Sequence, residues 1–139
     1  MSHHDLNAVM RIEGLAYPDS WERHLFERAL RSGAHLCRVI VRGGEIVAFF
    51  VAESGARNLH LVNLAVAAEH RRQGLGRFCL EELEDAARTF GHREVYLEVR
   101  DENLSAQLMY RDAGYRATEV LRGHYGADDG YRMVKEVED

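Results

Sequence analysis

The chain has 139 residues, 46% hydrophobic and 29% charged, the proportions of one folded domain able to bury roughly 68% of its unfolded surface. Its net charge of −5 argues against a nucleic-acid partner, which calls for a basic face. No apolar run approaches the ~20 residues of a membrane helix. No secretory leader is visible, and Cys37 and Cys79 lie inside apolar segments as buried thiols, so the expected setting is a reducing cytoplasm.

In chain order, Leu6, Val9, Met10, Ile12 and Leu15 space as the apolar stripe of a first helix that ends near Tyr17-Pro18. Asp19 with Glu22 reads as a capping pair for a second helix over 21–32, buried through Leu25, Phe26, Ala29 and Leu30 and stopped by Gly33. Residues 36–42 and 46–53 form two strands joined by the tight turn Gly43-Gly44. A further turn, Ser54 to Arg57, leads into a third strand over 59–66. That strand empties into a basic stretch punctuated by Gly74 and Gly76, which runs straight into a helix over 75–90. Leu75, Cys79, Leu83, Ala86, Ala87 and Phe90 share one face of this helix, with Glu81, Glu82, Glu84 and Asp85 expected outside.

The next strand, 94–100, alternates Val95, Leu97 and Val99 with Tyr96, Glu98 and Arg100. Asn103 caps a helix running to Ala113, closed by Gly114, and segments 115–121 and 131–137 finish the chain as an antiparallel pair. No internal repeat, low-complexity segment or linker interrupts this order. The sequence α-α-β-β-β-α-β-α-β-β predicts an α/β (α+β) fold: a central mixed, mostly antiparallel sheet with helices on both faces, one domain across 1–139.

Chemistry concentrates at two places. A helix start leaves backbone N–H groups without partners and carries partial positive charge, and glycines at 74 and 76 strip away side chains that would hold a ligand off that backbone. With Arg71, Arg72 and Arg77 alongside, the turn makes a phosphate cradle, or alternatively a basic turn before an ordinary helix. It fits neither G-x-x-x-x-G-K-[ST] nor G-x-G-x-x-G. Glu98 is a carboxylate within an apolar strand; partial burial suits such a group to act as a base near neutrality, while the alternative is a strand glutamate facing water or paired with an arginine. Tyr110 is open between a core aromatic and a phenol in a pocket. Cys79, on a buried stripe, is rejected as a nucleophile. His24, His35, His60, His70 and His92 are scattered and receive no catalytic or metal-binding task.

The loop Arg71-x-x-Gly74-x-Gly76 resembles the R/Q-x-x-G-x-G/A loop by which GNAT acetyltransferases hold the pyrophosphate of coenzyme A. Tyr96-Leu97-Glu98-Val99-Arg100 with Asn103-x-x-Ala106-x-x-Met109-Tyr110-x-x-x-Gly114-Tyr115 is similar to the L-E-V-R…N-x-x-A-x-x-L-Y-x-x-x-G-F signature of N-terminal protein acetyltransferases, and closest to the bacterial ribosomal-protein alanine N-acetyltransferases. Tyr17-Pro18-Asp19-Ser20-Trp21 resembles their F-P-x-x-W turn, and Asn63-Leu64-Ala65-Val66 their N-I-A-V strand. These motifs stand in the right order over nearly the whole chain.

The resemblance implies a GNAT fold, acetyl-CoA as cosubstrate, no metal, and a protein or peptide N-terminus as acceptor, a ribosomal protein included. Nucleic-acid and membrane partners are not expected, and the protein would act as a monomer or homodimer. For the cofactor it implies the backbone from Arg72 through Gln73, Gly74, Leu75 and Gly76 to Arg77, the guanidinium groups of Arg71, Arg72 and Arg77, and the strand Leu64, Ala65 and Val66 along the pantetheine arm. Asn103 would contact that arm or simply cap its helix. Glu98 would be the general base, through a water, and Tyr110 the general acid toward the leaving thiolate, with both on one side of the sheet. Tyr17, Trp21, Tyr125 and Tyr131 would hold the first residues of the acceptor. The chain departs from the pattern at Met109, at Tyr115, and in the shortened segment 122–133, where His124 and Asp128 replace a tyrosine and a glutamate; acceptor preference is left open there. Acetylation of a lysine side chain or small amine, or a non-catalytic CoA-binding module, are the competing readings.

Overall fold

A computed structural model describes residues 1–16, 21–71, 73–126 and 128–137. Its helices are α1 (Leu6–Ala16), α2 (Arg23–Arg31), α3 (Leu75–Thr89) and α4 (Leu104–Asp112), and its strands β1 (His35–Arg42), β2 (Glu45–Ser54), β3 (Asn58–Val66), β4 (Glu94–Arg100), β5 (Arg116–Tyr125) and β6 (Asp128–Glu136). The strands form one sheet in the order β1-β2-β3-β4-β6-β5. Only β3 and β4 run parallel; every other neighbouring pair is antiparallel.

The period-2 pattern places β4 at its expected bounds, because a strand buried on alternate residues leaves no freedom of register. Ends without that constraint move. β5 runs on to Tyr125, past the expected end at Leu121, through an irregular stretch in which Gly123 takes φ 61°. α2 starts two residues later than expected; Glu22 is its N-cap residue but makes no side-chain cap, and Asp19 lies outside the described residues.

Two apolar layers flank the sheet. On one face α1 and α2 pack Leu6, Val9, Ile12, Phe26 and Ala29 against Phe49, Val51 and Ala65. On the other, Cys79, Leu80, Leu83 and Ala87 of α3 and Tyr110 of α4 meet Leu59, Leu61, Leu64, Val95, Leu97 and Val99. One expectation fails here: Glu84 is not outside but buried, held by the Tyr115 hydroxyl at 3.0 Å and the Lys135 ammonium at 2.8 Å. A charge can stay under α3 only because both partners reach it.

β3 contains the feature that opens the molecule. Val51 faces Asn63 while Ala52 faces Leu61, so Val62 is an extra residue, a β-bulge. The bulge inverts the side-chain alternation: Leu59 and Leu61, then Leu64 and Val66, point to the α3 side, while Asn63 and Ala65 turn toward α1 and α2. Pairing of β3 with β4 stops at Leu61 and Leu97. Beyond that point β3 follows β2 and β4 follows β6, and the sheet forks.

Candidate active site

The fork holds a cleft of about 780 Å³. Leu64 and Asn63 line it from β3, Glu98 and Arg100 from β4, Asn103 from the N-cap of α4, Tyr110 from α4 itself, and Trp21 and Tyr125 from the rim. An extended, amide-bearing chain fits between two strands that have each lost a neighbour, since a strand edge offers backbone donors and acceptors to such a guest.

At one end of β3 the glycine turn leads into the start of α3 as the spacing predicts. Gly74 is the N-cap residue of α3 with φ 78°, a left-handed conformation that glycine adopts without strain, and no side chain caps the helix start. A Cβ at Gly74 would meet open space, so the first-turn N–H groups are approachable. At Gly76 a Cβ would fall 2.5 Å from Sδ of Met109, showing how closely α4 crosses the start of α3. Leu75 is buried. The charged neighbours are already engaged: Nε of Arg71 donates to the Val66 carbonyl at 3.2 Å, and Arg77 stands 3.9 Å from Glu81. Gln73 accepts from Nη1 of Arg42 at 2.9 Å, which leaves its backbone for a ligand. Arg72 lies outside the described residues.

Glu98 lines the cleft. Nε2 of His60 lies 2.8 Å from its Oε1, and Nη2 of Arg132 lies 3.4 Å from Oε2. The His60 ring stacks on Tyr96 with centroids 4.3 Å apart and planes within 5°, which fixes its direction toward the carboxylate. Arg132 is itself tethered, 3.4 Å from Glu119. Glu98 thus pairs with an arginine, the alternative reading of a strand glutamate, and it also lines the cleft. His60, given no task from the sequence, is the neighbour of Glu98 in the structure. The signal would have been the parallel register setting His60 opposite Tyr96, one step from Glu98, and that register is not readable before the strands are paired.

The expectation that Glu98 and Tyr110 share one side of the sheet is overturned. Glu98 alternates with Leu97 and Val99 and so points to the α1–α2 face, whereas Tyr110 packs with Val99 on the α3–α4 face. They line one cleft all the same, because the strands between them have separated. Asn103 is a helix cap, its Oδ1 accepting from the Ala106 N–H at 3.2 Å, and the residue also lines the cleft. Ala65 and Val66 do not line it; Ala65 is buried against the α1–α2 layer and Val66 packs on the opposite core.

Of the four residues expected at the acceptor, Trp21 and Tyr125 line the cleft. The Tyr125 ring lies 4.5 Å from the Arg100 guanidinium, and burial first, then the Glu98 charge, pushes its phenol pKa up. Tyr131 does not belong here. Its register partner is Val99, so it projects to the α4 side, where its hydroxyl donates to Asp101 at 2.8 Å. Tyr17 lies outside the described residues. Cys79 is fully buried, and desolvation, with Glu82 behind it, pushes its thiol up to about 12, which removes it as a nucleophile. Among the described residues no group of three or more His, Cys, Asp or Glu is placed to hold a metal, and no helix is long and apolar enough to cross a membrane.

Comparison with known proteins agrees with this geometry. Residues 6–115 match the model of the acetyltransferase (GNAT) family. The chain is 31% identical over 126 residues to the [ribosomal protein bS18]-alanine N-acetyltransferase of Escherichia coli (strain K12), covering 91% of this chain and 84% of that one. The crystal structure of the Escherichia coli ribosomal-protein-S18-alanine N-acetyltransferase superposes with a TM-score of 0.91 at 27% identity, over 100% of this chain and 92% of that one. An N-alpha-acetyltransferase of Sulfurisphaera tokodaii is 32% identical over 145 residues, 94% of this chain and 86% of its own. Arabidopsis thaliana NAA60, crystallised in complex with acetyl-CoA, shares the fold with a TM-score of 0.86 at 19% identity, over 99% of this chain and 96% of that one. With these matches the chain belongs to the GNAT family of acetyltransferases, with acetyl-CoA as its cosubstrate.

Proposed function

We propose that this protein acetylates the N-terminal α-amine of a protein in the cytoplasm, acting as a monomer or homodimer, by direct attack within a ternary complex. The observation that carries the reading is the fork in which Glu98 and Tyr110 line one cleft from opposite faces of the sheet. The names of the relatives, which act on a ribosomal-protein alanine and on N-terminal α-amines, favour an N-terminus over a lysine.

Acetyl-CoA supplies the acyl group as a thioester. The start of α3 and Gly74 would hold its pyrophosphate, and the β3 edge at Leu64 and the cap residue Asn103 its arm. A backbone donor on the Leu64–Val66 segment aimed at the carbonyl oxygen would stabilise the charge that develops there. An α-amine has a pKa of ~8, so at neutral pH the base must first remove one proton from a largely protonated acceptor, and the second, released as the amide forms, would replace the one that Tyr110 gives to sulfur. Glu98 would take it through a water from the α1–α2 face, with His60 and Arg132 fixing the carboxylate. Tyr110, arriving from the other face, would protonate the sulfur that leaves. Attack from one face and departure toward the other is the division of labour that a cleft passing through a sheet permits.

The test is mass spectrometry of acetyl-CoA reactions with peptides whose N-termini are free or blocked, an alanine-first ribosomal peptide and internal lysines included. Acetyl on the free N-terminus alone is expected. Transfer only to the lysine ε-amine would overturn the assignment, and acetyl-CoA binding without turnover on any amine would favour a non-catalytic module.

A further inference from the structure

Glu13 is a carboxylate with no assigned task. It lies near the end of α1, is 1% exposed, and yet belongs to the cleft wall. One oxygen does all of its visible work: Oε2 accepts the backbone N–H of Trp21 at 2.7 Å and Nδ2 of Asn63 at 3.0 Å. Oε1 is buried and, among the described residues, has no partner. Leaving such an atom unpaired costs about 1–3 kcal/mol, and burial holds the Glu13 carboxyl above its usual range in spite of the two donors. A methionine or leucine would fill the space under α1 at less cost, so packing does not account for a carboxylate here.

What the two bonds join is informative. Trp21 stands at the cleft rim on the acceptor side. Asn63 is the residue just beyond the bulge, where β3 has left β4, and it immediately precedes Leu64 at the cofactor edge. Its side chain, 8% exposed, is turned toward the α1–α2 face by that bulge. A strand freed from one neighbour loses the ladder that would fix its height, and the Asn63–Glu13 bond replaces that constraint.

Resting on the N-terminal acetylation reading, we propose that Glu13 is a positioning residue for the transfer: through Oε2 it locks the free part of β3 to the start of α2, so that the acceptor-side wall and the thioester-side strand are held at a fixed spacing. It acts through Asn63 and Trp21 and need not touch either substrate. A misplacement of about 1 Å at such a wall is enough to cost ~10²-fold in rate.

The test compares Glu13→Gln with Glu13→Met, measuring kcat, both KM values, acetyl-CoA affinity by calorimetry and the melting temperature, with whichever amine the parent protein acetylates. The glutamine carbonyl can take the place of Oε2 and keep both bonds, so this variant is expected to stay within about 3-fold of parental kcat. Methionine matches the volume but accepts neither bond, and is expected to lose at least ~10-fold in kcat and to raise the acceptor KM, at an unchanged acetyl-CoA affinity. Asn63→Leu cuts one arm alone and should show the same split more weakly. A Glu13→Met variant with parental kcat, or one whose only change is weaker acetyl-CoA binding, overturns the proposal. Unfolding of both Glu13→Met and Asn63→Leu would make Glu13 a structural brace and overturn it equally. A parent inactive on every N-terminus instead sinks the acceptor assignment and leaves the comparison to be made on the amine that is used.

Discussion

Nε2 of His60 stands 2.8 Å from Oε1 of Glu98 although 38 residues separate them in the chain. The contact exists because β3 and β4 are paired in parallel up to Leu61 and Leu97 and part immediately afterwards, leaving the carboxylate at the mouth of the fork with a histidine at its back. Removal of that support should weaken catalysis without touching the cradle. His60→Phe keeps a ring to stack on Tyr96 and removes the nitrogen. Its kcat should fall by about 10-fold or more, in the range of a lost contribution to acid–base catalysis, with acetyl-CoA affinity unchanged in a calorimetric titration. An unaltered kcat would make His60 a packing residue.

Glu98→Gln removes the proposed base while keeping the shape of its side chain. We expect kcat to fall ~10²-fold or more and acetyl-CoA to bind as before. Equal rates for variant and parent across the pH range would take Glu98 out of the mechanism.

Two glycines make opposite predictions under the same substitution. At Gly76 the clashing atom is Sδ of Met109, near the end of a side chain that can turn away, so Gly76→Ala should cost well under about 1.5 kcal/mol. At Gly130 a Cβ would meet the Val99 carbonyl oxygen at 2.7 Å and the Tyr125 ring at 2.6 Å. Backbone cannot step aside, so Gly130→Ala should destabilise by about 1–3 kcal/mol and, by pushing Tyr125, raise the acceptor KM. Urea unfolding and steady-state kinetics on the pair would check both.

Lys135, the one lysine in the chain, anchors the buried Glu84 and donates to the Ala113 carbonyl, each at 2.8 Å. Lys135→Met would leave the carboxylate with the Tyr115 hydroxyl alone and should cost about 3–5 kcal/mol, the usual penalty for stranding one member of a buried pair. Denaturant unfolding reads it directly; a loss below about 1 kcal/mol would show that Glu84 finds another partner.

Glu13 predicts the sign of a pH effect on stability. Burial raises its folded pKa above the ordinary 4.5. Below that value it is protonated in both states and contributes no pH dependence. As the pH climbs past it, the unfolded chain ionises first and stability drains until the folded group ionises too. Glu13→Gln abolishes this loss, so the difference in melting temperature should move in favour of the variant as the pH rises above the ordinary 4.5. A gap constant with pH would show that Glu13 titrates alike in both states.

The sequence by itself determined the element order, the bounds of β4 and the glycine cradle at α3, because each of these rests on local physics: a period of two, a helix start without caps, a residue able to adopt positive φ. It named Glu98, Tyr110, Trp21 and Tyr125, all of which line the cleft. What only the tertiary structure decided are the relations between strands. The bulge at Val62, the fork at Leu61 and Leu97, and hence the approach of Glu98 and Tyr110 from opposite faces follow from pairing register, which no single segment encodes. His60 beside Glu98, Glu84 under α3 and Tyr131 turned to the far side are decided in the same way, since which face a side chain takes depends on the neighbours that its strand or helix acquires on folding.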